Sequence, residues 1–132
     1  MSDESRQGDE AGVSDLTTTI LAVIPDLMFQ SRVREQAQAL GFEVATADTM
    51  DEAIQALERL PGLLVLDLHA MGIDTAALAA DAKARAVPVL AFGRHTETGV
   101  LRAAREAGCD AVVVRSTFVE ELPQLLRELA RQ

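Results

Sequence analysis

The 132-residue chain has no tryptophan or tyrosine, only four phenylalanines and one cysteine, and 12 lysines and arginines against 21 acids. Each shortage removes a class of answer. With aromatics at 3% and hydrophobic residues at 48%, Leu, Val, Ile and Ala have to build the interior, which suits helices packed on a sheet. A net charge of -9 does not supply the clustered cations that a duplex backbone demands, so nucleic acid is not an expected partner. The lone Cys109 cannot close an internal disulfide. With His69 and His95 it makes no zinc spacing, so it reads as a small packing residue at a helix-strand junction. No apolar run approaches the ~20 residues that span a bilayer. The opening Met-Ser-Asp-Glu-Ser lacks the basic and apolar segments of a secretory signal. These features predict a cytoplasmic protein without a membrane partner.

What is present is a strict alternation. Residues 1–18 hold Asp3, Glu4, Asp9, Glu10 and Asp15 against Arg6, with almost nothing apolar, and read as a disordered acidic tail. Residues 19–132 form one domain, long enough to bury roughly two-thirds of the surface of the unfolded chain. Within it, five apolar runs are expected as strands: Ile20–Ile24, Glu43–Ala47, Leu63–Leu66, Val87–Phe92 and Ala111–Val114. Amphipathic stretches follow each run. The first carries Phe29, Val33, Ala37 and Leu40 and stops at Gly41. The second starts near Thr49 or Asp51 and ends at Pro61-Gly62. Asp74 or Thr75 is placed to cap a third, Ala-rich helix and Thr96 a fourth. A fifth is expected from about Val119, with Pro123 in its opening turns, where a missing N–H does no harm. The polar second run belongs at an edge. The pattern predicts an α/β fold: a doubly wound, five-stranded parallel sheet of order 2-1-3-4-5 with five helices and functional loops at the strands' carboxyl ends, the flavodoxin-like topology.

In that architecture Asp67, at the end of the third run, delivers a carboxylate into the crevice above the sheet. On the residues alone it either caps the loop that follows or pairs with Arg115, which ends the fifth run across the same crevice. Ile24-Pro25-Asp26-Leu27 has no glycines to bring backbone N–H groups to a pyrophosphate, so dinucleotide binding is disfavoured. Asp67-Leu68-His69-Ala70-Met71-Gly72 spells D-x-H-x-x-G, which resembles the cobalt-ligating motif of cobalamin-binding domains. There the motif follows the first strand and a paired glycine comes later. Here it follows the third run, no Gly-Gly exists, and His69 reads as a loop residue. Arg102, Arg105, Arg127 and Arg131, interleaved with Glu97, Glu106, Glu120, Glu121 and Glu128, read as a solvated face. Phe29 reads as core and Met28 as exposed beside the crevice.

From about Thr19 to Arg131 the chain resembles the receiver domain of bacterial response regulators, the CheY-like family. Asp67 falls at the phosphoacceptor position, Gly72-Ile73-Asp74 follows at the expected offset, and Gly108-Cys109-Asp110 precedes the last strand as a Gly-Ala-Asp does in the family. The resemblance also exposes departures that define an atypical, pseudo-receiver variant. Two acids at the end of the family's first strand hold magnesium; Ile24 and Pro25 replace them, with Asp26 one position on. The switch hydroxyl ending the fourth strand is replaced by Gly93, the inward-turning aromatic of the fifth strand by Val112, and the Lys-Pro pair by Arg115-Ser116, whose peptide is expected in the trans form. Asp26, Asp67 and the carbonyl of His69 are weak candidates for a metal site, since magnesium demands near-ideal octahedral geometry.

The resemblance implies a stand-alone interaction module in two-component or phosphorelay signalling, not an enzyme, and without a cofactor. Its partner would be a histidine kinase or a downstream target, met through the fourth helix, fifth strand and fifth helix; a homodimer is also open. Two alternatives stand beside it. One is a working receiver phosphorylated on Asp67 by a histidine kinase with magnesium. The other is a small-molecule-binding module of the same fold.

Overall fold

The computed structural model describes residues 17–131. Most of the acidic tail read over residues 1–18 therefore lies outside them. Thr18, inside, is already part of the fold: its hydroxyl donates to the carbonyl of Arg131 at 2.8 Å and its carbonyl accepts from the N–H of Glu43 at 2.9 Å.

Five strands, β1 (Thr19–Val23), β2 (Glu43–Thr46), β3 (Leu63–Asp67), β4 (Val89–Gly93) and β5 (Ala111–Val114), alternate with five helices, α1 (Leu27–Ala39), α2 (Met50–Glu58), α3 (Thr75–Ala84), α4 (Thr98–Glu106) and α5 (Arg115–Leu129). All pairings are parallel and the order is β2-β1-β3-β4-β5. Side chains along a strand alternate between faces, so each central strand feeds two cores. Ile20, Ala22, Leu63, Val65, Leu90 and Phe92 meet Val33 and Ala37 of α1 and Phe118, Leu122 and Leu126 of α5. On the other face Leu21, Val23, Leu64, Leu66, Val89 and Ala91 meet α2, α3 and α4 through residues such as Leu57, Leu78 and Leu101. β3 and β4 are buried along their whole length, whereas β2 is exposed at both ends, as an edge strand should be.

The helix starts follow local chemistry. Thr49 Oγ1 accepts from the N–H of Glu52 at 3.1 Å while Glu52 Oε1 accepts from the N–H of Asp48 at 2.8 Å, so the start of α2 is clamped from both directions. Asp74 Oδ1 accepts from the N–H of Ala77 and caps α3. The fourth helix begins at Thr98 without a side-chain cap, one residue later than a Thr96 cap implies.

The fifth helix corrects the sequence reading most. It begins at Arg115, directly after β5, with no intervening loop, because Phe118 opens the buried stripe continued by Leu122 and Leu126. Pro123 consequently sits in the helix interior, not in an opening turn. There it removes the hydrogen bond that its N–H would give to the carbonyl of residue 119. Among the described residues the peptide bonds are all trans, including Arg115–Ser116. No helix among the described residues is long and apolar enough to cross a membrane.

Candidate functional site

Parallel pairing of β1, β3 and β4 brings Val23, Asp67 and Gly93 to one end of the sheet, so the loops after these strands enclose a shared crevice. Asp67 is the one buried polar residue among those described, at 4% exposure. Its Oδ1 accepts from the N–H of His69 at 2.9 Å, capping its own loop. Its Oδ2 faces Arg115 Nη2 at 3.8 Å, a charge contact too long for a hydrogen bond.

Arg115 is positioned by aromatics. Its guanidinium carbon lies 4.5 Å above the ring of Phe29 and 5.9 Å from that of Phe92. Phe29, Phe92 and Phe118 stack on one another, the tightest pair being Phe92 and Phe118 with centroids 4.2 Å apart. Three of the four phenylalanines thus form a platform under one cation, an arrangement worth ~0.5–2 kcal/mol per cation-ring contact. Arg115 Nε is buried and has no hydrogen-bond partner. Phe29 is half-buried, forming part of the crevice wall as well as of the core.

Asp26 is spent on capping α1, its Oδ1 accepting from the N–H groups of Met28 at 2.9 Å and Phe29 at 3.3 Å. Ile24 is buried in the apolar core, Pro25 is exposed, and the carbonyl of Ile24 accepts from Gln30 Nε2. Among the described residues no group of three or more His, Cys, Asp or Glu side chains converges as a metal site does. A single buried carboxylate facing a guanidinium does not fit magnesium, which requires several oxygen ligands in octahedral array.

Gly93 is where the crevice departs furthest from the sequence reading. A Cβ built there would stand 3.2 Å from His69 Nε2, 3.3 Å from Leu101 Cδ2 and 3.4 Å from Leu68 Cδ1. His69 Nε2 accepts a hydrogen bond from the N–H of Arg94 at 3.0 Å, bridging the β3 and β4 loops. The space beside Gly93 is therefore filled by an imidazole held in place, and His69 is a strut, not only a loop residue. Sequence reasoning missed this strut; the available signal was size complementarity, a histidine two residues beyond the strand-end Asp67 opposite a residue with no side chain. Val112 pairs with Ala91 on the α2-α3-α4 side of the sheet, and Ser116 is exposed in the first turn of α5.

No family model and no curated protein matches the sequence. Solved structures do match the fold. The CheY-like receiver domain protein of Methanospirillum hungatei JF-1 aligns with a TM-score of 0.74 at 20% identity, over 85% of this chain and 92% of its own. The magnesium-bound receiver domain of the sensor histidine kinase PA1611 from Pseudomonas aeruginosa PAO1 aligns at 0.73 and 19%, over 86% and 97%. NtrX of Brucella abortus aligns at 0.75 and 23% over 86% of this chain, which spans only 27% of that protein. The chain has the receiver fold. Within that fold Asp67 stands at the strand end where the receiver crevice opens, and the loops around it carry the Asp67–His69–Arg94 and Asp67–Arg115 contacts.

Three of the four exposed large hydrophobic residues among those described also lie near this end. Leu27 (72%) and Met28 (82%) open α1 and Met71 (88%) tops the β3–α3 loop; the fourth, Leu60, is at the opposite end of the sheet. None lies on α4, β5 or α5. Apart from Arg115, the arginines and glutamates of α4 and α5 are exposed to solvent and interleaved.

Proposed function

We propose that this receiver fold serves as a protein-interaction module in two-component signalling, working without a magnesium-dependent phosphorylation switch and without catalysis of its own. The observation that carries this reading is the commitment of the crevice. Asp67 caps its own loop and faces Arg115, Asp26 caps α1, and His69 fills the space beside Gly93, so the groups that would hold a metal and relay a phosphoryl signal are absent or occupied. A partner surface is then supplied by shape and apolar contact. Leu27, Met28 and Met71 flank the crevice at a site where burial of ~25 cal/mol per Å² rewards a docking protein. This favours the crevice rim over the α4–β5–α5 face as the partner surface.

The test is binding to the sensor kinases and response regulators of the same cell, measured by calorimetry with purified partners. Asp67→Asn should leave the affinity of the binding partner unchanged, while Leu27→Asp with Met71→Asp should abolish it. Loss of binding in the Asp67 variant alone contradicts the reading. One observation favours the second reading, a receiver phosphorylated on Asp67 by a histidine kinase: Oδ2 of Asp67 has no hydrogen bond and points toward a cation, where a phosphoryl group would meet Arg115.

A further inference from the structure

At the end of the sheet opposite Asp67 lies a cavity of about 650 Å³, within the range that encloses small ligands. Its walls come from the amino ends of β1 and β2 and from the loops after α2 and α3. Three arginines, Arg59, Arg85 and Arg131, line it against a single carboxylate, Glu43. For a chain of net charge -9 with 12 basic residues, this is a local reversal of sign. Among the described residues only Arg85 of the three has an acidic partner, Asp81 at 3.1 Å. Each arginine follows a helix end, where a cation is favourable, but that alone does not bring three of them around one cavity.

The backbone supplies a second observation. Leu60 and Ala86 are the two non-glycine residues with positive φ among those described, at 56° and 60°, and both line the cavity. Left-handed backbone crowds Cβ against the carbonyl, and helix ends ordinarily give this position to glycine. Here each left-handed residue directly follows an arginine, Arg59-Leu60 and Arg85-Ala86, and sets an apolar side chain beside a guanidinium. With Val44, Ala45 and Ala56 they give the cavity an apolar lining beside its arginines.

We infer that this cavity binds a small anionic amphiphile, with a carboxylate or phosphate head among Arg59, Arg85 and Arg131 and an apolar body against Leu60, Val44 and Ala45. The site is separate from the crevice of Asp67 and does not depend on the function proposed for it. The test uses the full chain labelled with ¹⁵N, titrated with decanoate and, in parallel, with inorganic phosphate. Decanoate should give saturable amide shifts at Gly62, Ala86 and Val87 and none at Asp67 or His69, and should bind more tightly than phosphate. Arg59→Ala with Arg131→Ala should weaken decanoate about tenfold or more, as expected when charge-assisted contacts are lost. The Arg131 backbone, which bonds Gly62 and Thr18, is untouched by that change, and an unchanged thermal midpoint would show that the fold persists. Absence of saturation, equal affinity for phosphate, indifference to the double substitution, or shifts centred on the Asp67 crevice would each overturn the inference.

Discussion

Replacing Gly93 with threonine, the change that would restore a hydroxyl to the end of β4, is expected to destabilise the protein by about 1–3 kcal/mol. The first added atom meets His69 Nε2 at 3.2 Å and two leucine methyls at 3.3 and 3.4 Å, so all three neighbours must give way. Overpacking of this kind costs ~1–3 kcal/mol. Displacing the imidazole also breaks its bond with the Arg94 N–H, for ~0.5–1.5 kcal/mol, while the strand preference of threonine over glycine returns up to ~1 kcal/mol. His69 is the largest of these obstacles. With His69→Ala already present, only the ends of two flexible leucines remain in the way, and the cost should shrink to about 1 kcal/mol or less. Urea denaturation of the four proteins of the cycle gives the coupling directly, expected at about 1–2 kcal/mol. A Gly93→Thr cost that is the same with and without His69, within ~0.5 kcal/mol, would refute the strut. The same reasoning predicts that Ile24→Asp, Pro25→Asp and Gly93→Thr together restore magnesium affinity only when His69 is removed as well.

Pro123→Ala should raise stability by about 1–3 kcal/mol in urea denaturation, because an interior helix position regains an N–H donor and loses a ring clash; a destabilised variant would mean that the proline-bent geometry is needed for packing Leu122 and Leu126. Cys109 has its thiol pKa raised, first by burial and then by the neighbouring charge of Asp110, so less of it is thiolate at a given pH. Alkylation by iodoacetamide at mildly alkaline pH should therefore be slower than for an unfolded chain, and Asp110→Asn should speed it; no change in the variant would leave burial as the whole cause. By linkage, the contribution of Cys109 to stability is fully present below the thiol's unfolded pKa and is lost as pH rises through its folded value.

The sheet was readable because its signal is local. Leu63–Leu66 and Val89–Phe92 are apolar at every position, which only a strand covered on both faces requires, and the polar ends of Glu43–Thr46 marked an edge. Helix caps at Thr49 and Asp74 were equally local. The fifth helix begins at Arg115, four residues before the expected Val119, because the buried spacing of Phe118, Leu122 and Leu126 already carries the helix there. In the crevice, the resemblance implied which acids and hydroxyls are missing, but no local pattern indicated what fills their place. The stack of Arg115 on Phe29 and the bond from Arg94 to His69 join residues 86 and 25 positions apart, and no local pattern encodes such meetings. Asp26 illustrates the opposite error: a carboxylate counted toward the crevice is consumed by the nearest helix terminus, because two N–H donors lie within three residues of it.

The most direct test of the proposal that this crevice runs no phosphorylation cycle is to add beryllofluoride and magnesium to the ¹⁵N-labelled protein and follow the amides of Asp67, Leu68, Gly93 and Arg94. The proposal predicts no saturable change, since Asp26 caps α1 and His69 fills the space beside Gly93. Stoichiometric shifts at these four amides, dependent on both magnesium and the Asp67 carboxylate, would contradict it.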